Sequence, residues 1–396
     1  MEQSRLTVWV KGFLRLCFVL VNNAYTIPTY VIWMLLLTPL RFLHPELFWR
    51  IEGLFFHWLL AMVSMWSWSA GYDVVELGDD YRLCLHSPAL IIANHQSTAD
   101  VPMLMAAYNA KPNILPNIMW IMDRAFKFTN FGIVSIMHQD FFIQIRRGKR
   151  DECLKELRDH LHNSFSALGR HWMILFPEGG FLRKRRETSQ RYALKNNLPV
   201  LEHVSLPRTG AMEAIVEELA VPYQPSSKIS HVSQSSLHSG MNIILYYKIM
   251  HHLSTVFLYY HVFTIKFYFL GPKLINWVLD LTIAYPEGKP LDLPTIITGW
   301  REPCKTYLFY RVFNMADIPR EQEGLTKWLF DRWVEKEEML KHYYETGKFP
   351  VEKFSSHPMP TQVISQDALR FVILHIFFLV SSYVHYRMFS FVYQFW

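Results

Sequence analysis

The chain has 396 residues, 51% hydrophobic, 16% aromatic and 19% charged, with a formal net charge of +6. That is too apolar for an ordinary soluble enzyme and too charged for a bundle of membrane spans alone; a soluble core with membrane segments satisfies both numbers. The basic balance points to an anionic partner, and the apolar ends favour lipid headgroups or phosphate substrates over nucleic acid, for which no zinc-finger or RNA-recognition signature is present.

The four cysteines, Cys17, Cys84, Cys153 and Cys304, contain no C-x-x-C pair, which argues against a disulfide framework and a thiolate zinc site. The histidines lack H-E-x-x-H or other ligand spacing, so no metal is expected.

Residues 1–71 read as an N-terminal membrane anchor. Phe13–Val21 and Ala24–Leu40 are apolar runs with Pro28 in the second, long enough for one kinked span or a re-entrant pair. Arg5 and Lys11 precede them and Arg15 stands at the start of the first, as in a signal anchor, with no cleavage site after. Gly53–Ala70, bearing Trp58, Trp66 and Trp68, either spans or lies at an interface.

From 72 to 221 the pattern alternates as in an α/β sheet. Strands are expected at Asp73–Leu77, Ala89–Ala93, Ile118–Met122, Phe141–Ile145, Trp172–Phe176 and Leu198–Val204, with an amphipathic helix from Glu152 carrying Leu154, Leu157 and Leu161 on one stripe. Residues 222–273 form an atypical insertion, Ser-rich and then apolar from Met241 to Leu270. The span 274–350 resumes the domain, with strands at Leu279–Tyr285 and Thr306–Phe313 and a covering helix over Leu325–Tyr344. Residues 351–396 read as a linker, Phe354–Thr361, and a C-terminal membrane segment, Phe371–Trp396. If 241–270 crossed a membrane once, the two later strands would emerge on the side opposite the earlier ones. The stretch is therefore expected to be re-entrant, membrane-lying or poorly ordered.

The chemistry concentrates where expected strands end. Pro88-Ala-Leu-Ile-Ile-Ala-Asn-His95-Gln-Ser-Thr-Ala-Asp100 brings a histidine out of a strand with a carboxylate five residues on. Asp100 can hold one imidazole nitrogen and leave the other as a base, although the same residues also suit a plain helix cap. Phe141–Arg150 ends in four cations around Gly148, including Arg146 and Arg147. Leu175-Phe-Pro-Glu178-Gly179-Gly180 leads into Arg183–Arg186, and Leu206-Pro207-Arg208 repeats the basic theme. Glycines admit close backbone approach, and arginine forks suit phosphate oxygens. No G-x-S-x-G elbow, P-loop or G-x-G-x-x-G is present.

Asn94-His95-Gln-Ser-Thr-Ala-Asp100 resembles the H-x-x-x-x-D motif of the PlsC-like glycerolipid acyltransferases. Phe176-Pro-Glu-Gly179 is similar to that family's third motif, Leu206-Pro-Arg208 to its fourth, and Phe142–Arg146 more loosely to its second, with Arg146 or Arg147 as the equivalent arginine. Likeness covers most of 8–221 and 274–396 and fails over about 225–272. The resemblance implies an α/β fold, a mixed sheet flanked by helices with N- and C-terminal membrane segments. It implies acyl transfer from acyl-CoA, a co-substrate with no other cofactor, to a lysophospholipid hydroxyl at the endoplasmic reticulum membrane. Lysophosphatidylglycerol is the expected acceptor; lysophosphatidylethanolamine or lysophosphatidic acid, or a non-catalytic lipid-binding role, are the alternatives. His95 would be the base, Asp100 its orienting carboxylate. Arg146, Arg147, Glu178, Gly179, Pro207 and Arg208 would contact substrate, with Glu178 pairing an arginine or a glycerol hydroxyl.

Overall fold

Apolar, β-branched runs build the sheet. In the computed structural model, which describes residues 5–144, 150–221 and 274–394, the strands are β1 Tyr72–Asp79, β2 Ala89–Ala93, β3 Ile118–Asp123, β4 Phe141–Ile143, β5 Trp172–Leu175, β6 Trp277–Ala284, β7 Cys304–Asn314 and β8 Pro358–Val363. They form one mixed sheet in the order β4-β3-β5-β2-β6-β7-β1-β8. β2 runs parallel to both neighbours, with Ala89 level with Trp172 of β5 and Trp277 of β6. β4, β3, β5, β2 and β6 all run parallel, so their C-terminal ends share one edge. β7 turns antiparallel to β6, and β8 pairs antiparallel with β1 at the far edge.

All five β2 residues are buried, and they serve two cores: Ala89, Ile91 and Ala93 on one face, Leu90 and Ile92 on the other. A strand covered on both faces reads as an unbroken apolar run, and each fully buried Ile or Leu contributes roughly 1.5–3 kcal/mol. The first core continues into the N-terminal helices through Tyr30 and Met34 on the first and Phe56, Leu59, Met62 and Trp66 on the helix Pro45–Trp68. The second is closed by Leu157, Met212, Ile215, Leu329, Trp333 and Leu340 from three helices.

Among the described residues, three helices are long and apolar enough to cross a membrane, and they associate the chain with one: Leu6–Leu36, Pro45–Trp68 and Ala368–Tyr393. The first is continuous through Pro28 rather than a re-entrant pair. In the second, 61% of the apolar window is buried in the protein, so it is largely core. Glu52 on that helix, 1% exposed, accepts from the Tyr30 hydroxyl at 2.7 Å and pairs with His138 Nδ1 at 2.8 Å. This buried bracket joins both N-terminal helices to the helix Gly132–His138 beside the sheet.

Two expectations are corrected. Leu198–Val204 is not a strand: its amides point at side chains, as described below. The supposed linker contains β8, which closes the β1 edge despite Pro358 and Pro360, as an edge strand can. The expectation for 241–270 lies outside the described residues. On either side of that stretch, β2 and β6 hydrogen-bond in one sheet, so they occupy the same side of any membrane.

Candidate active site

β2 ends at Ala93 on the shared C-terminal edge, and the loop 94–99 carries the chain into the helix Asp100–Asn109. Asn94, fully buried, brackets the backbone of Ile283: its amide donates to the carbonyl at 3.0 Å and its oxygen accepts from the N–H at 2.7 Å. The bracket mimics one more ladder rung and fixes where His95 leaves the sheet.

His95 Nδ1 lies 2.8 Å from Oδ2 of Asp100. That oxygen also accepts from the N–H groups of Gln96 at 2.6 Å and Ser97 at 3.0 Å. An oxygen serving as acceptor to two amides requires Nδ1 to be a donor, so the neutral ring carries its free lone pair on Nε2. Nε2 has no hydrogen-bond partner among the described residues. His95 is 9% exposed and Asp100 0%. Phe176 stacks on the ring at 4.1 Å and Phe181 meets it edge-on at 4.4 Å, which limits its tumbling. The arrangement can accept a proton on Nε2 and hold the resulting imidazolium against Asp100.

The Pro-Glu-Gly-Gly turn after β5 packs directly behind the histidine. Glu178 is fully buried. Oε1 accepts from His95 N–H at 3.0 Å and Trp333 Nε1 at 3.3 Å; Oε2 accepts from Ser205 N–H at 3.1 Å and its hydroxyl at 2.6 Å. The expected arginine or substrate partner is therefore absent among the described residues, since a carboxylate sealed under the turn has four protein donors instead. Burial outweighs those donors and pushes the Glu178 carboxyl up to about 7.

Gly179 sits at φ +66°, and a Cβ there would lie 3.3 Å from the Arg208 guanidinium. Gly180 faces the Arg185 stem in the same way. The glycine pair thus gives two arginines room to flank the turn. The Arg208 guanidinium has no partner among the described residues, and Arg185 Nε is a buried donor without one. Burial, then the neighbouring Arg185, lowers the Arg208 guanidinium from its ordinary value. Unpaired, mutually repelling guanidinium groups beside the turn suit an anionic ligand. Pro207 is buried, and Arg208 N–H donates to the Pro177 carbonyl at 2.8 Å, tying the two motifs together. Arg146 and Arg147 lie outside the described residues.

Residue-by-residue reading missed Tyr285, Ser205, Trp333 and Arg185 as members of this cluster. Tyr285 and Trp333 lie within the broad range 274–396 of family likeness but in no named motif, and Arg185 in a basic run; Ser205 carries no local signal.

A membrane-associated α/β sheet presenting an oriented histidine beside unpaired arginines defines a class, and sequence comparison agrees: the chain belongs to the acyltransferase family. The Acyltransferase family model matches residues 75–227 and the Acyltransferase C-terminus model residues 295–376. The chain is 40% identical over 396 residues to acyl-CoA:lysophosphatidylglycerol acyltransferase 1 of Homo sapiens, covering 100% of this chain and 98% of the relative. It is 38% identical to the Mus musculus protein of that name, over 99% of this chain and 98% of the relative. A putative 1-acyl-sn-glycerol-3-phosphate acyltransferase of Caenorhabditis elegans is 28% identical, over 84% and 76% respectively. The crystal structure of the LPA acyltransferase PlsC from Thermotoga maritima aligns over 81% of this chain and 97% of that one, at 13% identity and TM-score 0.38.

Proposed function

We propose that the chain transfers a fatty acyl group from acyl-CoA to a free hydroxyl of lysophosphatidylglycerol, at the endoplasmic reticulum membrane. The observation that carries this reading is the His95–Asp100 pair, with Nδ1 held at 2.8 Å and Nε2 left open. The acceptor follows from full-length likeness to relatives named for lysophosphatidylglycerol.

His95 Nε2 takes the proton from the acceptor hydroxyl as its oxygen attacks the thioester carbonyl carbon. The imidazolium is stabilised by Asp100 through Nδ1–H. Collapse of the tetrahedral intermediate breaks the C–S bond, and the imidazolium returns the proton to the departing sulfur, leaving the base ready for another turnover. Arg208, with Arg146 and Arg147, holds the acceptor phosphate; Gly179 gives it room. Pro207 and Glu178 fix the loops from behind rather than touching substrate.

General-base help contributes on the order of 10²- to 10⁴-fold. In purified membranes given a panel of lysophospholipids and acyl-CoAs, His95→Ala is expected to lower kcat by that factor while leaving membrane association intact. Near-normal turnover in this variant would sink the mechanism, and preference for another lysolipid would move the acceptor.

A further inference from the structure

The catalytic loop is gripped by a stretch far away in sequence. Beyond the Asn94 bracket on Ile283, the Ser97 hydroxyl donates to the Leu291 carbonyl. Thr98 Oγ1 accepts from Leu293 N–H at 2.9 Å. Between these contacts sits Tyr285, just past β6, 0% exposed. Its hydroxyl donates to Oδ1 of Asp100 at 2.6 Å.

The two oxygens of Asp100 therefore have different sources of support. Oδ2 is served locally, by His95, Gln96 and Ser97. Oδ1 takes the Tyr285 hydroxyl, from a residue 185 positions away. A carboxylate held at one oxygen can still swing about its Cβ–Cγ bond; donors at both ends fix its plane, and with it the imidazole.

We propose that Tyr285 is a positioning residue for acyl transfer: by donating to Asp100 Oδ1 it fixes the carboxylate plane and withdraws charge from the oxygen that faces His95. This rests on the reading of His95 as the base. Being fully buried, Tyr285 touches no substrate and acts through Asp100. β6 delivers it there because β6 pairs with β2 up to Ala93 and Leu281.

The sign of the effect follows. Losing the phenol donor leaves more negative charge on Asp100, which favours the imidazolium; a protonated His95 is no base, so a higher pH is needed for activity. Among the described residues, the other titratable groups facing this cluster are Glu178 from the β5 turn and Tyr344 from the helix Gln322–Thr346. Both stay in place in the variants below, so wild type is the matched control.

The test uses the full chain in membranes. Tyr285→Phe is expected to lower kcat about tenfold, to leave both KM values unchanged, and to move the acid limb of the pH–rate profile up by about half to one pH unit. Placing 3-fluorotyrosine at position 285 strengthens the donor without altering the packing and should move the limb the other way. Thr98→Val, which removes the neighbouring bond to Leu293 but not the one to Asp100, should lower thermal stability with the limb unmoved. A limb at the wild-type position in both Tyr285 variants would overturn the proposal, whether or not stability falls. His95→Ala separates the readings: if it is inactive while the limb stays fixed, only the role of Tyr285 fails; if it is active, the general-base reading fails as well.

Discussion

Glu178 holds the backbone of the catalytic histidine loop, the Ser205 loop and Trp333 with one carboxylate. Its four donors favour the charged form, yet full burial pushes the carboxyl up to about 7. An unfolded glutamate titrates near 4.3. Between about pH 4.3 and 7 the folded protein therefore binds a proton that the unfolded chain has released, so this residue's contribution to stability falls as pH rises through that window. The stabilisation is fully present below the window and lost above it. Glu178→Gln should flatten that dependence, because an amide does not titrate. It should also cost about 1–3 kcal/mol near pH 5, since the amide NH₂ must face at least one N–H donor. Thermal unfolding midpoints of the two proteins, compared from pH 5 to 8, check this. Parallel curves would show that Glu178 keeps its charge throughout.

The helix Gln322–Thr346 does more than cover a sheet face. Its buried side carries Leu325, Leu329, Trp333, Met339 and Leu340, and also Lys336, whose Nζ lies 2.5 Å from Asp280 of β6. Next to it, Glu337 accepts from the N–H groups of Glu202 at 2.8 Å, His203 at 2.8 Å and Val204 at 3.1 Å. Glu337→Ala would leave three amides without that acceptor, and Val204 is buried, so stability should fall by about 1–3 kcal/mol. Ser205 and Arg208 ride on the same loop, so KM for the lysophospholipid should rise several-fold. Unchanged stability and KM together would mean that the loop holds itself. The same contacts explain what could be read from sequence alone. β2 and the His95–Asp100 spacing were legible because strand, turn and helix start are local, and the carboxylate reaches the imidazole within one loop. Leu198–Val204 looked like another strand, apolar at both ends, but its register is set by a glutamate some 134 positions away and by Gln96 on the His203 carbonyl. Periodicity carries no trace of such a partner. Glu178 was visible as a residue and misjudged in role, because a motif shows which group is present and not which way it faces.

Across the whole molecule, the site is assembled from both sides of the stretch 222–273: His95, Glu178 and Arg208 come before it, Tyr285, Trp333 and Glu337 after. The chain leaves and re-enters at one place. Ala220 bridges to Ile275 in parallel, and Ile275 N–H donates to Leu219 at 2.6 Å. A short connection can therefore join these ends without moving β6 from its place beside β2. Replacing 226–270 by a Gly/Ser linker of a few residues should preserve the fold and the acyl transfer. Cutting a loop to about a sixth of its length also lowers the closure entropy opposing folding, by about 1.5 kcal/mol. The expected result is a membrane-bound protein with wild-type kcat and an unfolding midpoint at or above that of the full chain. Loss of folded protein would mean that 226–270 is needed for folding or stability. Normal folding with lost turnover would instead give the stretch a part in acyl transfer. The Glu52–His138 bracket lies apart from this connection, tying the N-terminal helices to the sheet, so membrane attachment should survive in either case.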